Sequence, residues 1–204
     1  MSHPDITLYG LRLSGHSHRA ELFLSLLALP YRFETALPPT PDLIRLNPLR
    51  QIPVLTDGDA VISDSNAILV YLAARYAPAG EWMPTDPQGA AAVQRWLSVA
   101  AGEVRYGPAL ARLMVVFGAA ADRAAAHATA VRILAFMDAH LTGREFLAAD
   151  RPTIADIACY SYVAHAPEGG VSLEPYPAVR AWIGRIEALP GFLAMPASPI
   201  PGQE

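Results

Sequence analysis

The chain has 204 residues, of which 52% are hydrophobic and 17% charged, and a formal net charge of −4; this excludes a disordered chain, and the acidic balance lacks the basic face that nucleic acid requires. A single cysteine, Cys159, excludes an internal disulfide and Cys-rich metal sites, and fits a reducing, cytoplasmic compartment. No apolar run reaches the ~20 residues of a membrane helix, and Met1 to Asp5 lack the basic and apolar regions of a signal peptide, so neither membrane nor leader is expected.

Ile6 to Tyr9 alternates and is rich in strand formers, which predicts a first strand. Leu13-Ser14-Gly15 reads as a turn. His18 to Leu29 then carries Leu22, Phe23, Leu26, Leu27 and Leu29 at helical spacing, and Pro30 ends it. Tyr31 to Thr35 alternates as a second strand. A Pro-rich loop from Leu37 to Pro41 leads into a short helical piece, Asp42 to Leu46. Ile52 to Leu55 and Ala60 to Ile62 are short strands on either side of Asp57-Gly58, a hairpin signal. Asp64-Ser65 opens a helix that keeps Ile68, Leu69, Leu72 and Ala73 on one side and runs to about Tyr76. The order predicts an α/β unit, a four-stranded mixed sheet with helices packed on it.

Beyond Tyr76 the pattern is helical only. A Pro/Gly-rich stretch, 78–87, reads as a linker between a first domain, 1–77, and an all-α domain, 88–204. Helices are expected over about Gln88 to Val116, Ala121 to Leu141, Ile154 to Ala164 and Pro177 to Leu189. Gly102, Gly107 and Pro108 should interrupt the first of them. Thr153-Ile154-Ala155-Asp156 has the form of a capping box, with Asp in place of the usual Glu.

Candidate chemistry begins at the turn after the first strand, Leu13-Ser14-Gly15-His16-Ser17-His18-Arg19. Two hydroxyls and two imidazoles stand at a strand-to-helix junction, where backbone N–H groups converge and the helix dipole favours an anion, a thiolate as readily as a phosphate. Plain capping by Ser17 or Ser14 accounts for the same residues. A Ser-His-Asp hydrolase is poorly supported, because there is no GxSxG elbow. His16 and His18 are two apart and share no helix face, so no metal site is expected. Further on, Ile52-Pro53 puts an X–Pro bond, a candidate for cis, at the start of a strand. Asp64-Ser65 caps the helix that follows the hairpin.

Taken in order, Ser14, Ile52-Pro53 and Asp64-Ser65, followed by a helical second half, resemble the cytosolic glutathione S-transferase family of the serine type. The resemblance covers essentially the whole chain and is strongest over Leu8 to Tyr76. It implies a thioredoxin-like N-terminal domain, an all-helical C-terminal domain and a homodimer. The Ser-x-x-x-x-Arg spacing from Ser14 to Arg19 is similar to the tau and zeta pattern. Theta-like or unassigned bacterial classes stay open, because Gly15-His16-Ser17 matches none of the better-known runs. By this resemblance Ser14 stands beside the glutathione sulfur, with Ser17 and Tyr9 as rival hydroxyls. The backbone of Ile52, before Pro53, would pair with the cysteinyl part. Asp64 and Ser65 would hold the γ-glutamyl end, and Gln51 would lie near the glycyl end. Glutathione is thus the implied co-substrate, with no metal.

The implied reaction is detoxifying conjugation of the glutathione thiolate to small hydrophobic electrophiles. A glutathione-dependent disulfide reductase or peroxidase, and a non-catalytic module of the same fold, are the alternatives. The electrophile should lie against the first long helix, where Glu103, Tyr106, Leu110, Leu113 and Met114 recur. Tyr106 is the leading contact and Arg112 the next. Cys159, in an apolar helix, reads as buried. The Pro-rich tail from Met195 is open between covering the site and lying free.

Overall fold

The computed structural model describes residues 5–202. Residues 1–4, on which the expectation of no signal peptide rests, and 203–204 at the end of the tail lie outside them. Four strands, β1 (Ile6–Gly10), β2 (Tyr31–Thr35), β3 (Val54–Asp57) and β4 (Ala60–Ser63), form one sheet in the order β2-β1-β3-β4. β1 and β2 are parallel, and the other two pairings are antiparallel. A parallel pair needs a crossover, which α1 (Gly15–Leu26) supplies. The antiparallel β3–β4 pair needs only a two-residue turn, and Gly58 takes the positive φ of +56° there. α2 (Pro41–Leu46) precedes β3, and α3 (Ser65–Tyr76) follows β4. The mixed sheet and its helices are the predicted thioredoxin-like architecture.

Alternation along the strands divides the apolar residues between the two faces. Leu8 and Leu55 join the main core, whereas Tyr9 and Val54 face a small cluster with Ala36 and Leu43. The main core is continuous with the helical half: Phe23 and Leu69 share it with Trp96, Leu134, Ile157 and Trp182.

That half consists of α4 (Pro87–Ala101), a π-helical segment (Arg105–Ala109), α5 (Leu110–Val116), α6 (Arg123–Leu141), α7 (Ile154–Ala164), a 3₁₀ segment (Ala166–Gly169) and α8 (Pro177–Glu187). The interruption expected at Gly102 and Pro108 is present. Pro108 has no N–H to donate and its ring crowds the preceding turn, so the backbone widens into the π segment. α7 packs against α1, α3 and α4, which places it behind the Ser14 turn. No helix among the described residues is long and apolar enough to cross a membrane.

α1 starts at Gly15, three residues before the predicted His18. Gly15, His16 and Ser17 look like a continuation of the turn in sequence, because they are small or polar. Ser17 and His18 are nonetheless buried, since each polar atom is met inside. The Ser17 Oγ accepts from the Leu11 N–H at 3.1 Å. The His18 ring lies 2.9 Å from the Ser161 hydroxyl and 2.8 Å from the Leu193 carbonyl.

Candidate active site

Ser14 is the N-cap of α1, in extended backbone between β1 and the helix. Its Oγ accepts from the Ser17 N–H at 3.5 Å, the long end of a hydrogen bond. A hydroxyl has one proton to donate, and that of Ser14 has no partner among the described residues. The side chain lines a cleft of about 610 Å³ that lies between the sheet domain and the helical domain. The same cleft gathers Gln51, Ile52, Asp64, Ser65 and Tyr106. Pro53 lies behind this wall, buried, and the Ile52–Pro53 peptide is cis.

Four sequence expectations meet a different environment. Ser17 is fully buried with its oxygen turned to Leu11, so it offers no hydroxyl to the cleft. Tyr9 packs beside Val54 on the opposite face of the sheet from the main core, and does not line the cleft. Arg112, expected as a substrate contact, points away from the cleft: it is 0% exposed and ion-paired with Glu168 at 2.6 Å. Of the helical stripe, Tyr106 and Leu113 reach the cleft, whereas Glu103, Leu110 and Met114 do not. Cys159 is buried, and burial pushes its thiol up to about 12, so it is no nucleophile.

Asp64 caps α3, its Oδ1 accepting from the N–H groups of Asn66 at 2.9 Å and Ala67 at 3.0 Å. Its φ of +76° is a strained setting for a residue other than Gly, costing about 1–3 kcal/mol, and such strain clusters at binding sites. Oδ2 has no hydrogen-bond partner among the described residues. Beside it, the Ser65 Oγ accepts from Arg19 Nη1 at 3.2 Å and lies 3.3 Å from His16 Nδ1. At this helix start the Asn66 and Ala67 N–H groups are capped by Asp64 and that of Ile68 by the Asp64 carbonyl, which leaves the Ser65 N–H as the one without a partner among the described residues.

The electrostatics of this wall favour an anion. Arg19 is 1% exposed and, among the described residues, has no carboxylate partner. Its Nε and Nη2, and Nη1 of Arg105, are buried without a hydrogen-bond partner. Burial pulls the Arg19 guanidinium below its ordinary value, opposed by Tyr162, Cys159 and Asp64. Orphaned buried donors are unusual, and both arginines line the cleft. Burial, with Arg19 and Arg105, drives His16 down to about 2, so its ring is neutral at any working pH. Burial likewise lowers His18, to about 4, against the Leu193 carbonyl. Neither ring touches the Ser14 hydroxyl, which removes the hydrolase reading.

Tyr162 of α7, also on the cleft wall, carries no local signal in the sequence. Gly15 is its indirect trace. A Cβ at Gly15 would stand 2.8 Å from Cε1 and Cζ of Tyr162, closer than real contacts allow, and the buried ring has little room to retreat. Gly15→Ala is therefore expected to cost about 1–3 kcal/mol by overpacking. A lowered thermal midpoint together with weakened glutathione binding checks it. A second depression of about 640 Å³ lies between α4, α6 and residues 143–150 and holds none of the predicted site residues.

With this geometry in hand, comparison with known proteins is consistent along the chain. Residues 13–75 match the family model for the glutathione S-transferase N-terminal domain, and residues 104–190 match that for the C-terminal domain. Glutathione S-transferase 3 of Zea mays is 31% identical over 217 residues, covering 96% of this chain and 97% of its own. Glutathione S-transferase theta-2 of Homo sapiens is 30% identical over 159 residues, 74% of this chain and 65% of its own. Among solved structures, a glutathione S-transferase from Pseudomonas fluorescens superposes with a TM-score of 0.86 at 28% identity, over 93% of this chain and 98% of that one. A glutathione transferase homolog from Drosophila mojavensis, solved with bound glutathione, gives 0.82 at 27% identity, over 92% and 89%. The fold and cleft thus define a two-domain transferase with a thioredoxin-like half. The chain belongs to the glutathione S-transferase family.

Proposed function

We propose that the protein conjugates glutathione to small hydrophobic electrophiles, with the sulfur beside Ser14. The observation that carries this is a serine hydroxyl with its proton free, in one cleft with Ile52 and the Asp64–Ser65 cap. A glutathione thiol with pKa about 8.5 is only a few per cent thiolate at pH 7, and lowering it by two pH units requires ~2.7 kcal/mol of preference for the anion. A hydrogen bond to a charged group contributes ~1.5–3 kcal/mol. Ser14, aided by the N-terminus of α1 and the unpaired guanidinium donors of Arg19, is sufficient in magnitude. The thiol proton leaves to solvent. The sulfur lone pair then forms the new C–S bond, and the leaving group departs with its electron pair.

The γ-glutamyl carboxylate is assigned to the start of α3 at Ser65, and the γ-glutamyl ammonium to the free oxygen of Asp64. Ile52 presents backbone to the cysteinyl part, and Gln51 faces the glycyl end. The electrophile is assigned to the side formed by Tyr106, Leu113 and Phe117, where apolar surface is offered with one phenol. Residues 1–77 and 88–204 are taken as the two domains, in a cytoplasmic homodimer. The test is glutathione affinity together with turnover of a chloro-nitroarene, an organic peroxide and a small disulfide. Binding with chloro-nitroarene turnover is expected. Turnover of the peroxide or disulfide alone would favour the reductive reading, and binding without turnover a non-catalytic module.

A further inference from the structure

Arg112 and Glu168 form a buried ion pair that lies outside the cleft but reaches its key turn. Arg112 Nε donates to Glu168 Oε2 at 2.6 Å, and Nη1 donates to the Leu13 carbonyl at 2.8 Å. Leu13 is the residue directly before Ser14. On the other side, Glu168 Oε1 accepts from His165 Nδ1 at 2.6 Å and from the Ser198 backbone N–H at 3.1 Å. Burial would lift the Glu168 carboxyl, but the donors from His165, Ser198 and Arg112 outweigh it and hold it below its ordinary value, hence ionised.

Two observations show that this arrangement is built closely. Gly169 lies against α5 where a Cβ would stand 2.5 Å from the Arg112 nitrogen, so only glycine lets the Glu168 segment approach. The C-terminal tail also runs along α1 from its end to its start. Ser25 Oγ donates to the Gly191 carbonyl at 2.7 Å, the His18 ring meets the Leu193 carbonyl, and Ser198 meets Glu168. None of the described tail residues lines the cleft, and the contacts above hold the tail in place. It straps the helix whose N-cap is Ser14.

We propose that Arg112 is a positioning residue for Ser14: paired with Glu168 and locked by the tail, it fixes the Leu13 carbonyl and so the direction of the Ser14 hydroxyl. This rests on the role given to Ser14 above. A hydrogen bond to a thiolate weakens steeply with misdirection, whereas binding of the rest of glutathione depends on Ile52, Asp64 and Ser65, which Arg112 does not touch.

The test is the double variant Arg112→Met with Glu168→Met, since replacing a whole buried ion pair by apolar residues is often neutral for stability. The expected result is kcat lowered about tenfold or more. The pKa of the bound glutathione thiol, read from thiolate absorbance, should rise, while Kd for glutathione stays near wild type. Wild-type kcat and thiol pKa in a folded double variant would overturn the proposal. Should that variant not fold, a chain ending at Pro196, which lacks Ser198, is expected to show a smaller rise in thiol pKa with unchanged Kd; wild-type values there would also overturn it. Ser14→Ala measured in parallel separates the two readings. Wild-type protein that binds no glutathione, or Ser14→Ala with no effect, overturns the role of Ser14 and this proposal with it. An unchanged double variant beside a responsive Ser14→Ala overturns this proposal alone.

Discussion

Ser14→Ala is expected to leave glutathione bound but to lower kcat/KM for conjugation by roughly 10- to 150-fold, the worth of one hydrogen bond to a charged group. The direction follows from the charge on sulfur. The hydroxyl proton stabilises only the thiolate, so its loss raises the pKa of the bound thiol, and the rate profile moves to higher pH. At high enough pH the variant should recover most of its rate, because the nucleophile then forms without help. The cap itself matters little to folding, since its bond to the Ser17 N–H is already 3.5 Å long. Thermal midpoint and rate therefore separate. A fall in rate with a nearly unchanged midpoint identifies the lost interaction as chemical rather than structural. Ser17→Ala is the contrasting control, because its hydroxyl accepts from Leu11 beneath the turn and never meets the cleft.

The largest expected loss of stability is at the start of α7. Asp156 is 0% exposed and satisfies four donors: Thr153 N–H at 2.9 Å, Thr153 Oγ1 at 3.0 Å, Leu147 N–H at 2.9 Å and Trp182 Nε1 at 2.9 Å. One carboxylate thus joins the start of α7, the irregular segment before it and the indole of α8. Asp156→Ala removes the acceptor and strands all four donors in the core. Each stranded donor costs ~1–3 kcal/mol, though not additively, so a total of roughly 3–5 kcal/mol is expected, as for breaking a buried charged network. For a chain of this length that lowers the thermal midpoint by about 10 °C or more. Asp156→Asn keeps one acceptor oxygen and should fall between the two. Since α7 carries Tyr162 and packs behind α1, partial loss of glutathione binding should accompany the destabilisation. Thermal unfolding with and without glutathione checks both.

Much of the fold is written locally. The alternation at Tyr31 to Thr35, the Asp57-Gly58 hairpin and the one-sided stripe from Ile68 to Ala73 each predict an element that the structure contains. The start of α1 is not written that way. His16 and Ser17 look like a continuation of the turn, and the groups that let a polar residue such as His18 be buried here, Ser161 and Leu193, are far off in sequence. Arg112 fails for the same reason. A lone Arg on a helix near the cleft reads as a ligand contact, and its true partner, Glu168, is 56 residues away in a segment with no pattern of its own. Positions in the site were legible only jointly. Each of Ser14, Ile52-Pro53 and Asp64-Ser65 is an ordinary cap or strand start in isolation, and it is the order of all three that carries the resemblance. Arg19, with its orphaned nitrogens, and Tyr162, held against Gly15, become meaningful only in three dimensions.

The central claim is that glutathione lies in this cleft with its sulfur against Ser14. A crystal structure of the protein with bound glutathione tests it most directly. The expected result is sulfur within about 3.5 Å of the Ser14 Oγ, with the γ-glutamyl group against Asp64 and Ser65. Sulfur beside Tyr9 or Ser17, or glutathione bound in the depression formed by residues 143–150, would contradict it.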